Sequence, residues 1–481
     1  MTLFQWFQKP NLIRLISISV FMLILNACGS SSTTTPPAGG SSSTMTVKLM
    51  VDPLTRLVTG EATVSGFTAT ALHIHQGAVG VNGSVLVALT QDPADANRFV
   101  TPDGARFTAD QYTEYLAGST YFNSHSAANP SGEVREQIAP ATIDISNLTI
   151  NGTTGATSGY AMITGFTATV AHIHTGFAGE SGGVSVALEA DGTIAGRFNA
   201  PAAATVTVSD YNAGKLYVNV HSADFSAGHI RQQIVPAGLQ VIAVEVSGSQ
   251  SVPTAVSDGG SATAYITVNE TTGALDAVLN LHNIDDSTNT HIHDGVAGVN
   301  GGVIQGFTVD PTTATTWTIT GATLTIGAGN DLEKLLAGGT YVNVHTTSNG
   351  AGEARGQVLP EGVVMAIAPL TATEAQTAGS NASGASAGTS TGYVTVNKNL
   401  SPATVKANLI FSGITPTAAH IHTDTGGGVV QGFTLDVGAG TGVIDATLST
   451  TEVSEFETDI LYINLHTTAF AGGELRGQLT P

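Results

Sequence analysis

Cysteine and charge are both scarce in this chain of 481 residues. Cys28 is its only cysteine, so no disulfide can form within the chain, and the folded parts depend on their hydrophobic cores or on bound metal. Charged residues make up 11% of the sequence, and 36 acidic against 15 basic residues give a formal net charge of −21. Because nucleic acids and anionic membrane surfaces bind basic patches, this balance argues against both as partners.

Familiar catalytic motifs are scarce as well. The chain has neither a Walker phosphate-binding loop nor an H-E-x-x-H zinc motif. Its glycine-rich turns lack neighbouring basic residues, so they are poor candidates for phosphate binding. We therefore expect a binding or structural protein rather than an enzyme.

The N-terminal segment has the pattern of an export signal. Lys9 and Arg14 precede an apolar run over residues 15–25, which is too short to span a bilayer comfortably and is typical of a secretory signal. The run ends in Leu-Asn-Ala-Cys at 25–28. This stretch resembles a bacterial lipobox, in which the cysteine becomes the first mature residue and carries lipid. Acyl chains would then anchor the protein in a membrane.

This segment predicts where the protein works. Residues 1–28 are predicted to be a lipoprotein signal peptide that ends at the lipidated Cys28. Residues 29–44, rich in Ser, Thr, Pro and Gly, are predicted to be a flexible linker. We expect a protein of the cell envelope whose lipid anchor lies in the outer membrane or at the cell surface rather than in the inner membrane. The sequence does not identify its extracellular or envelope partner.

Twelve of the 14 histidines form a pattern that recurs four times. In each copy, His-Ile-His is followed 44 to 52 residues later by a third histidine, and ten residues further on lies an arginine. The four histidine sets are His73, His75 and His125; His172, His174 and His221; His291, His293 and His345; and His420, His422 and His466. The arginines are Arg135, Arg231, Arg355 and Arg476.

The histidine pattern divides the chain into four units. If each unit ends just after its Arg-x-Gln, the units are residues 45–140, 141–237, 238–361 and 362–481. Units of about 100 to 120 residues are large enough to bury separate cores. The third and fourth units owe their extra length mainly to insertions of Gly, Ser, Thr and Ala, such as 377–392, and such insertions cost little in surface loops.

Each unit has the sequence pattern of an all-β domain. Short alternating runs rich in Val, Ile, Thr and Tyr are bounded by Gly, Asn and Asp, and the stretches 264–281 and 393–411 each predict a hairpin. Short helices are predicted before the third histidine, at 109–116, 331–336 and 452–460. Strand-dominated units of this length predict four tandem Greek-key β-sandwich domains with one short helix each.

Strand geometry gives the histidine pattern its chemistry. In His-x-His on a strand, the two imidazoles project from one face and the residue between them from the other. The third histidine ends a Tyr-x-Asn-x-His stretch in which Tyr, Asn and His share a face. If the two strands lie side by side, three neutral imidazoles meet, and such a set suits zinc or copper with one position left open. We predict this metal site in each unit; the alternative is a hydrogen-bonded network with a structural role.

A further strand in each unit carries the arginine. Around Glu133, Glu353 and Glu474 the sequence reads Glu-x-Arg-x-Gln, so Glu, Arg and Gln share a face. The arginine could pair with the glutamate, orient a histidine through a carboxylate, or present its charge to an anion. The second unit departs from the pattern because His229 stands in place of the glutamate. This imidazole is either a fourth ligand or a result of sequence drift.

These motifs make the chain resemble the CHRD repeat, a module first named for chordin and also found in bacterial proteins. The resemblance rests on His-Ile-His with a following glycine-rich turn, and on Tyr-x-Asn-x-His with Gly-Glu-x-Arg further on. It covers essentially all of residues 45–481. His-Ile-His alone would be weak, whereas the ordered pair repeated four times is specific. The resemblance implies β-sandwich modules of secreted or surface proteins, with no assigned biochemical activity.

Each unit also has a more distant resemblance to Cu/Zn superoxide dismutase. In that family a strand bears a His-x-His pair of copper ligands, a late strand bears another copper-ligand histidine, and an arginine further on guides the anionic substrate. His73 and His75, then His125, then Arg135 follow the same order. The zinc-binding loop, the bridging histidine and the disulfide of that family are missing here. The resemblance implies an immunoglobulin-like or superoxide-dismutase-like sandwich with at most a copper-only site, and dismutation as the activity if the protein is an enzyme.

Overall fold

Antiparallel β-strands form most of the regular structure in this computed structural model, which describes residues 43–257, 260–381, 383–424 and 427–481. The chain from Ser43 to Pro481 is one compact unit of four successive all-β domains, each with a hydrophobic core of its own. The predicted signal peptide, the lipidated Cys28 and nearly all of the predicted linker lie outside the described residues. Within the described ranges, no helix has the length and apolar character that a membrane span requires.

The first domain has eight strands and one helix: β1 (Thr44–Val51), β2 (Val58–Ser65), β3 (Ala69–Gln76), β4 (Val85–Ala88), β5 (Thr90–Asp92), β6 (Asp95–Val100), α1 (Ala109–Leu116), β7 (Thr120–Ser126) and β8 (Val134–Gln137). They form two four-stranded sheets in the orders β1-β2-β6-β5 and β4-β3-β7-β8. Ala62 of one sheet and Leu72, Ile74 and Phe122 of the other are buried in one apolar cluster. The domain is therefore a sandwich.

The second domain comprises β9 (Thr142–Asp144), β10 (Leu148–Ile150), β11 (Thr157–Thr164), β12 (Ala168–Thr175), β13 (Val184–Ala190), β14 (Arg197–Asn199), α2 (Val208–Asn212), β15 (Leu216–Ser222) and β16 (Ile230–Ile234). The strand order is β10-β11-β14-β13-β12-β15-β16, and β9 pairs with β11. Because β13 pairs with both β12 and β14, it joins the two layers into one curled sheet around the core.

The third domain comprises β17 (Leu239–Ser247), a 3₁₀ turn (Gly248–Gln250), β18 (Ser261–Asn269), β19 (Ala274–His282), β20 (Ser287–Asp294), β21 (Val303–Gly306), β22 (Thr308–Val309), β23 (Thr316–Thr323), α3 (Asp331–Leu336), β24 (Thr340–Thr346) and β25 (Ala354–Gln357). Its nine strands follow the order β21-β20-β24-β25-β17-β18-β19-β23-β22. The hairpin predicted at 264–281 is confirmed by β18 and β19.

The fourth domain comprises β26 (Val363–Leu370), α4 (Ala372–Thr377), β27 (Thr389–Asn397), β28 (Ala403–Ser412), β29 (Ala418–Thr423), β30 (Val429–Gly432), β31 (Thr434–Asp436), β32 (Thr441–Leu448), α5 (Thr450–Glu457), β33 (Leu461–His466) and β34 (Leu475–Gln478). Two sheets, β26-β27-β28-β32-β31 and β30-β29-β33-β34, enclose its core. The hairpin predicted at 393–411 is confirmed by β27 and β28.

The helices match the prediction in part. α1 and α3 have the predicted bounds, whereas α5 begins two residues and ends three residues before the predicted 452–460. A capping box sets the start of α5, because the Ser449 hydroxyl accepts from the amide of Glu452 and the Glu452 carboxylate accepts from the amide of Ser449. The prediction of one helix per domain is wrong for the fourth domain, where α4 follows Thr371 as its N-cap.

The first domain also contacts the third. Nδ1 of His282 lies 2.9 Å from a carboxylate oxygen of Asp103, and its Nε2 lies 3.1 Å from the hydroxyl of Thr263. Arg106 donates to the same hydroxyl over 2.9 Å. The compact unit therefore includes contacts between domains that are not neighbours along the chain.

Candidate metal centres

The fold brings the three predicted histidines of every domain together. Their candidate ligand atoms, one ring nitrogen from each, lie within 4.8 Å of one another in each set. Cysteine, aspartate and glutamate are missing from all the groups found among the described residues. The groups are His73, His75 and His125; His172, His174 and His221; His291, His293 and His345; and His420, His422 and His466.

Strand register explains this convergence. The His-Ile-His strand pairs antiparallel with the Tyr-x-Asn-x-His strand, so that His75 faces Tyr121 and His73 faces Asn123. His125 faces Ala71, two residues before His73, and thus projects from the same side of the sheet. The isoleucine between the paired histidines is buried in the core on the other side. The same pairing recurs between β12 and β15, β20 and β24, and β29 and β33.

Backbone carbonyls set the tautomer of the second and third histidines. Nδ1 of His75 lies 3.0 Å from the carbonyl oxygen of Gly83, and Nδ1 of His125 lies 2.9 Å from that of Pro130. Because a carbonyl oxygen only accepts, each Nδ1 carries the proton and each Nε2 keeps its lone pair. The other domains repeat both bonds over 2.8–3.1 Å: His174 to Gly182, His221 to Ser226, His293 to Gly301, His345 to Gly350, His422 to Gly427 and His466 to Ala471. Such partners are typical of histidines that bind metal.

Several of the remaining ring nitrogens have no partner. In the fourth domain these are Nδ1 of His420 and Nε2 of His422 and of His466, which are buried without a hydrogen bond. The other such atoms are Nε2 of His75, Nε2 of His174 and Nδ1 of His291. A buried polar atom without a partner costs about 1–3 kcal/mol, so a purely structural network would pair these atoms. One metal ion among the three rings would satisfy them together.

The separations between ring nitrogens fit one ion. Nδ1 of His73 lies 3.1 Å from Nε2 of His125, and Nε2 of His293 lies 3.4 Å from Nε2 of His345. Nitrogens that bind zinc or copper at about 2.0–2.1 Å with tetrahedral angles lie about 3.3–3.4 Å apart. In the metal-free protein, a proton on Nδ1 of His73 would instead make a hydrogen bond to His125. The second domain has the same contact, with Nδ1 of His172 3.3 Å from Nε2 of His221. The residues therefore fit a metal ion and, in the first and second domains, also part of the structural network.

Burial favours the neutral imidazoles that bind metal. It is the main cause that lowers the pKa of the first histidine of each domain below its usual range, and the other two histidines of the set lower it further. Burial also lowers the pKa of His293 and His466, although the carbonyl bonds of their Nδ1 atoms act in the opposite direction. Protonation of these six histidines would also place like charges side by side, which disfavours their charged form.

A tyrosine and the arginine stack behind the second histidine. The rings of His75 and Tyr121 are 5.1 Å apart and nearly parallel, and the guanidinium of Arg135 lies 3.3 Å from the Tyr121 centroid on a cation–π contact. The Tyr121 hydroxyl accepts from the amide of Gly83, whose carbonyl receives the His75 proton. The same stack occurs in the other domains. This tyrosine was not among the predicted site residues, although its place on the histidine face was the available signal.

The arginine fixes the loop that follows His-Ile-His. Arg355 donates to the carbonyls of Val296 and Val299 and to the side chain of Gln357. It is 2% exposed, and burial lowers its pKa to about 10. Arg135 and Arg231 make corresponding bonds, while Arg476 pairs with Asp424. The anion-binding role predicted for the arginines stays a prediction. The hydrogen bonds of Arg355 hold the loop in place.

The glutamate comes just before the arginine strand and holds a different loop. A carboxylate oxygen of Glu133 accepts from the hydroxyl of Ser126, over 2.7 Å, and from the side chain of Asn129. Glu353 and Glu474 accept in the same way from threonine hydroxyls. In the second domain Nδ1 of His229 lies 3.0 Å from the Ser222 hydroxyl, and its ring stacks on Phe166. His229 therefore takes the glutamate's structural place and lies outside the three-His group.

The fold and the repeated site define a class: tandem all-β modules, each with a three-histidine cluster between adjacent strands. The model of the family described as CHRD domain matches residues 25–138, 144–234, 242–358 and 369–479. The chain belongs to the CHRD domain family, with four tandem copies. Comparison with curated proteins gave no match.

One solved structure was compared over most of both chains. It is titled "Crystal structure of tetra-tandem repeat in extending region of large adhesion protein", is 13% identical, and the alignment covers 88% of this chain and 94% of that chain. Its TM-score is 0.14, so the two chains do not superpose as wholes, and no functional argument follows from it.

Proposed function

We propose that this protein is an envelope-displayed CHRD-repeat protein with a binding or structural role, in which every domain holds one copper or zinc ion. The observation that carries the metal proposal is the state of the ring nitrogens. The carbonyl bonds of the second and third histidines direct their Nε2 lone pairs inward, and in the fourth domain all three inward nitrogens lack a partner. Three imidazoles would hold the ion and leave a position for water or another ligand.

Metal analysis of the compact unit tests this proposal. Protein that begins at Ser43 should hold one ion per domain after loading with zinc or copper and removal of excess metal. The combined variant His75→Ala, His174→Ala, His293→Ala and His422→Ala should hold almost none. The matched control is His229→Ala with His282→Ala, since these histidines lie outside the groups, and it should keep all its metal. A parent protein without stoichiometric metal would overturn the proposal.

Redox chemistry is the second candidate for the same sites. It is favoured by the donor set, because three neutral imidazoles without a carboxylate or thiolate suit copper. Bound copper would supply one-electron chemistry. The copper-loaded protein would then remove superoxide, and replacement of Arg135 and its counterparts would slow the removal if the arginines guide the anion. Removal no faster than in buffer without protein would exclude dismutation.

We also propose that Cys28 carries a lipid that anchors the protein in the envelope, with residues 29–44 as a spacer. Support comes from the lipobox-like sequence and from the absence of another cysteine. Cys28→Ala should move the protein from the membrane to the soluble envelope fraction, and an unchanged distribution would contradict anchoring. The adhesion or matrix-scaffold alternative, with the histidines as a structural network, predicts a partner that binds metal-free and metal-loaded protein equally well.

A further inference from the structure

The loop that orients the second histidine contacts the next domain in two cases. We call this segment the site loop; it comprises residues 77–83, 176–182 and 295–301 in the first three domains. In the third domain, Gly298 lies under the ring of Tyr393 in the fourth domain, so closely that an added β-carbon would be 2.5 Å from the ring. Asn408 donates to the Gly298 carbonyl over 2.9 Å. In the second domain, Gly179 packs in the same way under Tyr265 of the third domain.

The site loop of the first domain has no covering side chain at its central glycine. A β-carbon at Gly80 would meet no atom within 4 Å, and Val79 and Val81 are 81% and 54% exposed. The residue before this glycine differs accordingly: it is Val79 in this loop, but Ala178 and Ala297, both almost fully buried, in the covered loops. Among the three site loops that the structure describes, sequence and packing therefore agree that the second and third are covered and the first is not.

The contacts within the domain do not explain this difference. Arg135 donates to two carbonyls of the first-domain loop, as Arg355 does to two carbonyls of the covered one. In both loops the last glycine accepts the Nδ1 proton of the second histidine, over 3.0 Å. The third-domain loop has two kinds of additional contact: the covering by Tyr393 and Asn408, and the bonds of Asn300 to Arg355 and to the carbonyl of Val252. A change of Tyr393 alone separates the first kind from the second.

The covered loop links the tyrosine to the candidate ligand. Tyr393 restrains Gly298, and three residues later the carbonyl of Gly301 holds the ring of His293. A ligand whose orientation is fixed by its surroundings binds more tightly, because less order is lost on binding. We infer that Tyr393 and Tyr265 are positioning residues that complete the metal site of the preceding domain. This inference rests on the proposed metal sites, and it makes the second and third sites the slowest to release metal among those with described loops.

The test uses single-site proteins that begin at Ser43. The variant His75→Ala, His174→Ala, His422→Ala keeps only the third site, and zinc release to excess chelator is followed by stopped flow. Adding Tyr393→Ala should speed release about tenfold, which corresponds to the lower end of the roughly 10- to 100-fold loss of metal affinity that follows changes behind a ligand. Tyr393→Phe keeps the ring and should release zinc at the parent rate. Amide exchange of 295–301 should rise with Tyr393→Ala only.

The control keeps only the first site through His174→Ala, His293→Ala and His422→Ala. Tyr393→Ala in that background should leave zinc release unchanged, which separates positioning from general loosening of the fold. If both single-site proteins bind zinc but Tyr393→Ala leaves release from the third site unchanged, the inference is wrong and the metal proposal stands. If neither protein binds zinc or copper, both are overturned.

Discussion

Replacing Arg355 should destabilise the third domain more than replacing Arg135 destabilises the first domain. Arg355→Met keeps an apolar stem of similar length but removes the donors to Val296, Val299 and Gln357. Each of these three hydrogen bonds is worth about 1–1.5 kcal/mol, and the lost cation–π contact with Tyr341 about 1–2 kcal/mol. The gross loss is therefore about 4–6.5 kcal/mol by the same rules.

Removal of the buried charge of Arg355 offsets part of this loss of stability. The pKa of Arg355 is lowered to about 10 from 12.5, and at about 1.4 kcal/mol per unit the charged guanidinium bears a penalty of about 3 kcal/mol. The expected net destabilisation of the third domain is then about 1–3.5 kcal/mol. Arg135→Met should cost about 1 kcal/mol or less, because water can reach the exposed carbonyls of its loop.

Hydrogen exchange measured by mass spectrometry separates the domains in one experiment. Under conditions where exchange reports opening free energies, protection of β24 and β25 peptides should fall about 5- to 400-fold in Arg355→Met. Peptides from the first domain should serve as the unchanged reference. Equal losses of protection for Arg355→Met and Arg135→Met in their own domains would refute the reasoning from burial.

Three further predictions concern pH, a glycine and the His229 substitution. Burial lowers the pKa of His291 and His420, so the unfolded chain binds more protons than the folded protein. The metal-free protein should therefore keep its full stability above about pH 7.5 and lose stability as the pH falls through about 6.5. Thermal unfolding measures this profile, and a flat profile would contradict the burial argument. Gly352→Ala should destabilise the protein by about 2 kcal/mol or more, because this glycine has a φ of +137° and a β-carbon there would lie 2.5 Å from the side chain of Asn343. Gly350→Ala is the control in the same thermal unfolding assay, because a β-carbon at Gly350 would meet no atom within 4 Å. His229→Glu should keep the second domain's metal content unchanged by metal analysis, and loss of metal would show that His229 is a ligand.

The histidine clusters could be predicted because they depend on local geometry. A period of two along a strand puts His73 and His75 on one face whatever the rest of the chain does, and a strand that pairs alongside brings in His125. The β-hairpins and two of the helices were predictable for the same reason, since their periodic patterns of apolar and polar residues lie within short segments. The start of α5 was missed because Ser449 and Glu452, which form its capping box, were not weighed.

The roles of the polar residues around each cluster depend on distant parts of the chain. Arg355 and Glu353 share a strand and a face in the sequence pattern, yet one clamps the loop after His-Ile-His and the other the loop after the third histidine. Nothing near His282 in the sequence indicates Asp103, which is 179 residues away. The covering of Gly298 by Tyr393 likewise requires the packing of two domains. The sequence pattern predicts on which face of a strand a side chain lies, whereas these contacts depend on tertiary structure.

Anomalous X-ray diffraction from crystals loaded with copper or zinc tests the central claim most directly. The account predicts one peak per domain, about 2.0–2.1 Å from Nδ1 of the first histidine and from Nε2 of the second and third, as at His73, His75 and His125. Ordered rings without a peak among these three nitrogens, in protein given excess metal, would contradict it and leave the histidines as a structural network.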